Sequence, residues 1–290
     1  MQESGFFTDM PLSCGPSMGE ATLLHSSQSG PCELYRVMKD GCFRVYKCLK
    51  LEHRGDPVYE TMLRKEYQTG YGLDHLAVCR TFSFSEVPGL GNCIEMEWVD
   101  GRTLDDFMQE KPDRKSVERI FAEICDALGY LHRKQVTHRD LKPSNILICH
   151  HGDHVRLIDF GVSDTDSSCT FKGPAGTVRY AAPEVIAGGT GDARADIWSL
   201  GVIMSQYGLF PKIASRCMRR DLDRRYRSAE DVGSAIAGRR TRRRLAAAAV
   251  LAAVVSAAAV MACIASRGSG DKYFKSATEA IENANSLNND

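Results

Sequence analysis

The chain has 290 residues, no net formal charge, and 43% hydrophobic residues, a length that suits one two-part domain with additional segments. Five arginines fall within residues 239–244, so the rest of the chain is mildly acidic and gives no reason to expect nucleic-acid binding. The 11 cysteines form no C-x-x-C pair, which is typical of free thiols in a reducing compartment. The first 24 residues lack the basic and apolar regions of a secretory signal.

The first half of the chain has the pattern of β-strands. Residues 1–19 are rich in Gly, Pro, Ser and Met, and we interpret them as a flexible lead-in. Residues 34–37 and 43–47 flank Asp40-Gly41, which predicts a β-hairpin. Two further strands are predicted over residues 79–86 and 92–99.

One helix is predicted among these strands, and the second half of the chain is helical. Asp56-Pro57 is typical of a helix start, and this helix is expected to end near Gln68, ahead of Gly70. Apolar residues at helical spacing between Val117 and Leu131 predict a long helix. Two more helices are predicted over residues 196–207 and 228–237, the second ending at Gly238.

Strands followed by helices indicate an α+β fold in two lobes. The strand-rich N-terminal lobe is expected over about residues 20–99. The helical C-terminal lobe is expected over about residues 100–237, with a basic segment at 238–244 after it. No internal repeat is visible.

Residues 245–266 form a run of 22 residues without a charge. At about 1.5 Å per residue, a helix of this length reaches about 33 Å, enough to cross a bilayer core of about 30 Å. The alternative is a soluble alanine-rich helix. The single run predicts a single-pass protein of the cytoplasmic or inner membrane. The arginines before the run predict that the main body is cytoplasmic and that residues 267–290 form a short external tail. The small residues of the run could also pair with a second copy in a homodimer.

The stretch His138–Asn145, with the sequence HRDLKPSN, carries the chemistry of the chain. Asp159-Phe160-Gly161 follows it after a short predicted hairpin. Two acids and an amide on two such loops can hold a divalent metal on a triphosphate and receive a hydroxyl proton. The two stretches resemble the catalytic loop and the metal-binding loop of protein kinases.

The resemblance implies a bilobal protein-kinase fold and a serine/threonine protein kinase that uses ATP and Mg²⁺ to phosphorylate protein substrates. It implies that Asp140 receives the hydroxyl proton and that Lys142 contacts the γ-phosphate. A lysine at this place is similar to serine/threonine kinases rather than tyrosine kinases. Asn145 and Asp159 are the implied magnesium ligands.

Lys47, in preference to Lys50, matches the lysine that binds the α- and β-phosphates in this family. It lies on the same strand face as Val45 and 19 residues before Glu66, which is expected to bind it. The alternative for Glu66 is a solvated acid on a helix surface. The residues that the resemblance places around the adenine, each of which could equally be core, are Val45, Met96, Glu97, Val99 and Leu147. Backbone groups of Glu97 and Val99 are expected to bond the base.

The resemblance also covers the activation segment, which ends at Ala182-Pro183-Glu184. Arg225 is the expected partner of Glu184, and the helix that starts at Asp196 is expected to support the catalytic loop. Candidate phosphorylation sites in the segment are Ser163, Thr165, Ser167, Ser168 and Thr170.

Two features depart from the family pattern. Counting back from Leu34, the three positions of the glycine-rich loop hold Ser27, Ser29 and Cys32, whose side chains hinder close approach of the backbone to phosphate. The C-terminal lobe is also short. The leading interpretation is an active membrane-anchored kinase, similar to bacterial receptor-type kinases. The alternative is a pseudokinase that serves as a scaffold or nucleotide-binding module.

Overall fold

The computed structural model describes residues 21–26, 30–159, 178–189 and 191–287. Side chains of residues 239–247, 261–273 and 281–287 are not described. Several residues singled out in the sequence therefore lie outside the described part: Ser27, Ser29, Phe160, Gly161 and the candidate phosphorylation sites between 163 and 170. The chain divides into two compact units, Met1–Ile236 and Ala237–Asp290.

A five-stranded antiparallel sheet forms the N-terminal lobe, with strand order β1-β2-β3-β5-β4. The strands are β1 (Thr22–Ser26), β2 (Cys32–Lys39), β3 (Cys42–Leu49), β4 (Thr81–Val87) and β5 (Gly91–Glu97). The β2–β3 turn holds Asp40 and Gly41 at φ of 49° and 77°. Both residue types tolerate positive φ, and the hairpin predicted from this pair is confirmed.

Helix α1 (Pro57–Tyr71) packs against this sheet, and its N-cap Asp56 accepts a hydrogen bond from the Val58 N–H at 2.8 Å. The predicted end near Gln68 was wrong, because the helix continues through Gly70. A Cβ at position 70 would lie 2.5 Å from Oγ1 of Thr81 on β4. Glycine at this position therefore allows helix and strand to approach closely and does not end the helix.

The C-terminal lobe combines helices with a small antiparallel sheet of order β6-β7-β8. Its strands are β6 (Gly101–Thr103), β7 (Ile146–Cys149) and β8 (Val155–Leu157). Its described helices are α2 (Leu104–Gln109), α3 (Arg114–Arg133), α4 (Pro183–Ile186), α5 (Arg194–Gln206), α6 (Pro211–Cys217) and α7 (Ala229–Leu287). Short 3₁₀ turns lie at Leu51–His53 and Pro143–Asn145. The sequence did not predict α2 or α6; α2 begins at a capping box formed by Thr103 and Asp106.

The start of α7 follows the prediction, since the Ser228 hydroxyl accepts a hydrogen bond from the Asp231 N–H at 3.1 Å. The predicted end at Gly238 was wrong: the helix runs to Leu287. A helical glycine costs about 1 kcal/mol relative to alanine, but the arginines and alanines that follow are among the strongest helix formers.

Among the residues that the structure describes, no helix combines the length and the apolarity that crossing a membrane requires. The predicted membrane span over residues 245–266 is helical, and its residues 248–260 are exposed. The side chains at both ends of this run are not described, so the membrane span remains a prediction.

The core of the C-terminal lobe lies between α3 and α5. Ile120, Phe121, Ile124 and Leu128 on one face of α3 are fully buried, as are Ile197 and Leu200 of α5. In the N-terminal lobe, one side of the sheet buries Tyr46 and Cys48, and the other buries Leu49 and Ile94 against Leu63 of α1. This second side of the sheet faces the candidate site.

Candidate active site

Lys47 is the point at which three elements of the site meet. It lies on β3, directly opposite Leu34 on β2 and Ile94 on β5. Its Nζ binds the carboxylate of Glu66 on α1 at 2.6 Å and that of Asp159, which follows β8, at 2.8 Å. The structure thus brings the predicted lysine together with both of its predicted partners.

These three side chains shift one another's pKa values. Burial acts to lower the pKa of Lys47, but the carboxylates of Asp159 and Glu66 raise it well above its ordinary value. Burial acts to raise the pKa of Asp159, but the Lys47 ammonium lowers it. For Glu66 burial outweighs the lysine, and the pKa of this carboxyl is raised. Lys47 is therefore held as a cation and Asp159 as an anion.

Asp140 sits in a polar frame made by its own loop. Its Oδ2 accepts hydrogen bonds from Nζ of Lys142 at 2.7 Å and from Nδ2 of Asn145 at 3.0 Å. Its Oδ1 is buried and accepts no hydrogen bond from a described residue. Asp140 lines the cavity of this site, and a carboxylate with a lone pair that no described donor uses can accept a proton.

The catalytic loop rests on Asp196, a fully buried residue of α5. Its carboxylate accepts hydrogen bonds from the backbone N–H groups of His138 and Arg139, each at 2.8 Å. It also lies 2.8 Å from Nε2 of His132 at the end of α3. Arg139 itself has a φ of 64°, which is rare for a residue with a side chain, and these contacts hold it there.

Asn145 and Asp159 fit a magnesium ion that is also bound by phosphates. The Asn145 Nδ2 donates to the main-chain carbonyl and carboxylate of Asp140, so its carbonyl oxygen remains the atom for a metal. The described residues contain no cluster of three or more His, Cys, Asp or Glu that could hold a metal. Magnesium commonly takes only one or two protein oxygens beside phosphates and waters. When bound, it would supply positive charge to neutralise the triphosphate.

A cavity of about 640 Å³ joins these groups. The predicted site residues that line it are Cys32, Leu34, Lys47, Glu66, Asp140, Lys142, Asn145 and Asp159. The phosphate, metal and base residues predicted within the described chain therefore share one space.

The cavity also contains residues that the sequence did not single out. Tyr59, Met62 and Leu63 line it from α1 together with Glu66. These four residues recur at helical spacing and lie on one helix face, a pattern that could have been read from the sequence once Glu66 was chosen. His25 and Thr103 also line it, and no sequence signal marked them.

The residues predicted around the adenine do not line this cavity. Val45, Met96, Val99 and Leu147 instead belong to the apolar cluster that packs beside it, between the two lobes. The Glu97 N–H donates to the Arg80 carbonyl at 2.9 Å, which leaves only the carbonyl of Glu97 for a base. That carbonyl faces the Cys79 thiol, with 3.6 Å between sulfur and oxygen.

Cys32 stands where the resemblance places the third glycine of the phosphate loop. Its side chain lines the cavity, and burial raises the pKa of the thiol to about 11. The thiol is therefore neutral at physiological pH and adds no negative charge beside a nucleotide. It does add bulk at a position where glycine would allow closer approach.

The end of the activation segment is fixed by an ion pair whose arginine is buried and whose glutamate is partly exposed. Arg225 is fully buried, and its guanidinium binds the Glu184 carboxylate through two hydrogen bonds of 2.6 and 3.1 Å. It also donates to the carbonyls of Arg194 and Arg219, each at 2.9 Å. The predicted pairing of Glu184 with Arg225 is present and ties α4 to the chain after α6.

A two-lobed fold with a lysine–glutamate pair and two acidic loops in one cleft defines the protein kinases as a class. Residues 27–226 match the family model described as the protein kinase domain, and the chain belongs to this family. Its relatives include the serine/threonine-protein kinase PknB of Mycolicibacterium smegmatis, 35% identical over 169 residues, which are 54% of this chain and 27% of that protein. Another is the serine/threonine-protein kinase PrkC of Bacillus subtilis, 31% identical over 54% of this chain and 25% of that protein. The chain thus matches about a quarter of the length of these relatives.

Solved structures show the same fold. The PknI kinase domain of Mycobacterium tuberculosis matches with a TM-score of 0.59 at 21% identity, over 78% of this chain and 97% of that one. A mutant of the same domain with a cysteine replaced by alanine matches with a TM-score of 0.61 at 20% identity, over 80% of this chain and 99% of that one.

Proposed function

We propose that this chain is an active serine/threonine protein kinase, which transfers the γ-phosphate of ATP to serine or threonine hydroxyls of proteins with the help of Mg²⁺. One observation carries the proposal. Lys47, held between Glu66 and Asp159, lines the same cavity as Asp140, Lys142 and Asn145. This set supplies a cation for phosphates, oxygens for magnesium and a carboxylate for the acceptor hydroxyl. The bacterial relatives named as serine/threonine kinases support the choice of acceptor.

Label transfer from ATP tests this proposal directly. The full-length chain is incubated with γ-labelled ATP, Mg²⁺ and a generic basic protein, and phosphoamino acids are identified after hydrolysis. We expect label on serine or threonine, lost when Mg²⁺ is chelated or when Lys47→Met removes the phosphate-binding cation. Lys50→Met serves as the matched control, since the cavity does not include Lys50. Equal label from wild type and Lys47→Met would refute the proposal.

The alternative function is that of a pseudokinase which binds nucleotide or partners without transferring phosphate. The Cys32 side chain in the cavity favours it, because it occupies space where the phosphate loop of an active kinase carries glycine. An ATP–Mg²⁺ thermal shift without label transfer would support a nucleotide-binding pseudokinase. Absence of both the thermal shift and the label transfer would support a scaffold that binds no nucleotide.

Cys32→Gly should lower the KM for ATP and change kcat less, since it alters mainly ground-state binding.

We further propose that the chain is anchored in the cytoplasmic membrane by residues 245–266, with the kinase body on the cytoplasmic side. The support is the uncharged run of 22 residues and the five arginines before it. A single span rich in small residues would also suit pairing of two copies.

We also propose that phosphorylation of the activation segment between Ser163 and Thr170 regulates the kinase, because Arg139 can pair with a phosphate.

A further inference from the structure

The segment from α6 to the start of α7 carries a dense set of exposed cations. We call this set the basic patch: Lys212, Arg216, Arg219, Arg220, Arg224 and Arg227, all exposed. The apolar residues of α6 point the other way, since Ile213, Ala214 and Cys217 are buried in the core. The helix therefore separates a buried apolar face from a charged outer face.

Contacts within the segment hold these cations close together. The Arg216 guanidinium lies 4.2 Å from the centre of the Tyr226 ring, which joins α6 to the residue before Arg227. The buried Arg225 donates to the main-chain carbonyl of Arg219 at 2.9 Å, which draws the two ends of the loop together. Because Arg225 is also bound to Glu184, the patch is fixed to the folded lobe.

The charge of the patch is largely uncompensated. Two acids, Asp221 and Asp223, lie within it. Only Arg224 forms an ion pair with another described residue, Asp221, at 3.2 Å, and its own side chain is 77% exposed. Six cations against two anions give a strongly positive surface on a body that is otherwise mildly acidic. Such concentration of exposed arginine on one surface indicates an anionic partner.

We propose that the basic patch binds the anionic lipid headgroups of the membrane surface. Arginine is suited to phosphate, which it can bind through two parallel hydrogen bonds. Groups of four to eight lysines and arginines attract anionic leaflets by about 1 kcal/mol for each cation near the surface. The sequence favours lipid over an acidic protein or nucleic acid, because residues 239–244 add five arginines directly before the uncharged run.

Lipid binding orients the kinase body on the bilayer. The Arg225–Glu184 pair connects the patch to α4, the helix that ends the activation segment. A membrane held against the patch would therefore set the distance between the bilayer and α4. This inference requires an anionic bilayer beside the protein, as the proposed membrane anchor would provide, but does not require phosphate transfer.

Modification of arginines on vesicles tests the inference with the full-length chain. The protein is added to vesicles of phosphatidylcholine alone or with phosphatidylglycerol, treated with phenylglyoxal, and analysed by mass spectrometry at each arginine. We expect the modification rates of Arg219, Arg220 and Arg224 to fall several-fold on anionic vesicles and to recover in high salt. The exposed Arg64 and Arg114, outside the patch, should react equally on both vesicles.

A second experiment replaces arginines of the basic patch by uncharged glutamine. In a mixture of phosphatidylcholine and anionic vesicles, where the proposed anchor contributes equally to both, Arg219→Gln/Arg220→Gln/Arg224→Gln should lower the ratio of protein on anionic to protein on neutral vesicles by roughly fivefold for each arginine removed. The matched control Arg64→Gln/Arg80→Gln/Arg114→Gln removes the same charge from other exposed sites and should bind as wild type does. Equal arginine reactivity on both vesicle types, or equal weakening by both variants, would overturn the inference. Binding to phosphatidylcholine reports the proposed anchor and label transfer reports the kinase, so each can fail separately.

Discussion

The two carboxylate oxygens of Asp140 have different surroundings in the cleft. One of its carboxylate oxygens is held by Lys142 and Asn145, and the other is buried without a described donor. This arrangement fixes the orientation of the carboxylate, while one oxygen keeps a lone pair that no described donor uses. Lys47 and Asp159 line the same cavity and form an ion pair with each other.

Asp140→Asn should lower kcat by roughly 10²-fold or more, because the amide cannot accept the proton in the transition state. The ATP–Mg²⁺ thermal shift should stay near that of wild type, since Lys47, Asn145 and Asp159 are unchanged. Steady-state phosphorylation of a protein substrate and differential scanning fluorimetry measure the two quantities. A variant that keeps near wild-type turnover would show that Asp140 is not the base.

The Glu184–Arg225 pair gives the stability of the lobe a defined pH dependence. Burial acts to raise the pKa of Glu184, but the Arg225 guanidinium lowers it below its ordinary value of 4.5. The folded state thus binds this proton less tightly than the unfolded state. The pair stabilises the fold above a pH of about 4.5, and this contribution is lost as the pH falls below that value.

Glu184→Gln should therefore remove part of the loss of stability between pH 5 and pH 3. At pH 7 it should cost about 3 kcal/mol, because a fully buried guanidinium loses its counter-charge. Urea unfolding at pH 7 and in the acid range measures both effects. The double variant Glu184→Gln/Arg225→Met should be less destabilised than the sum of the single variants. Additive losses would mean that the two charges do not interact energetically.

At the scale of elements, the close approach of β6 to β7 depends on Gly101. A Cβ at this position would lie 2.5 Å from the main-chain oxygen of Ile148 and 3.1 Å from the Cα of Cys149. Main-chain atoms cannot move aside as a flexible side chain can. A side chain at position 101 would therefore force β6 away from β7. Because β6 leads directly into α2, the start of that helix would be displaced as well.

Gly101→Ala should destabilise the protein by about 1–3 kcal/mol, the usual cost of forcing extra volume into a packed site. Gly72→Ala is the matched control, since a Cβ there meets nothing within 4 Å. That change should be neutral or stabilise by about 0.4–1 kcal/mol through the unfolded state. Denaturant midpoints of both variants measure the difference. A Gly101→Ala protein as stable as Gly72→Ala would contradict the close approach.

Local signals explain which elements the sequence could predict. The hairpin at Asp40-Gly41 and the cap at Asp56 depend on neighbouring residues, and both are visible without tertiary information. The role of Gly70 depends on Thr81, which lies on another element, so the end of α1 could not be read locally. Motif spacing marked the candidate catalytic and metal residues, and the structure places them around one cavity. The sequence left open whether Met96 belongs to the core or to the nucleotide site, because the answer depends on how the lobes meet, and the structure packs it in an apolar cluster.

At the scale of the whole molecule, the proposed membrane anchor predicts a simple fractionation result. Full-length protein should sediment with membranes and stay there in high salt, because an uncharged 22-residue helix partitions into the bilayer independently of ionic strength. Val254→Arg/Ala258→Arg places two charges in the run and should release the protein into the high-salt wash, since each charge costs about 2.5–3.5 kcal/mol at the bilayer centre.

Ala277→Arg/Ala280→Arg is the matched control, because it adds the same charge outside the run. It should remain with the membrane fraction. Immunoblots of the soluble, salt-washed and detergent-extracted fractions supply the measurement. Release of the wild-type chain by salt alone would rule out a spanning helix and leave only electrostatic attachment.

The support of the catalytic loop by Asp196 has a consequence for the order in which the protein acquires its structure. The amides of His138 and Arg139 find their acceptor 58 and 57 residues further along the chain. During synthesis at about 5–20 residues per second, the loop leaves the ribosome roughly 3–11 seconds before that acceptor leaves it. A nascent chain that ends before α5 therefore lacks the carboxylate that fixes the loop. The HRD loop reaches its working geometry only after the second half of the C-terminal lobe has been made and has docked.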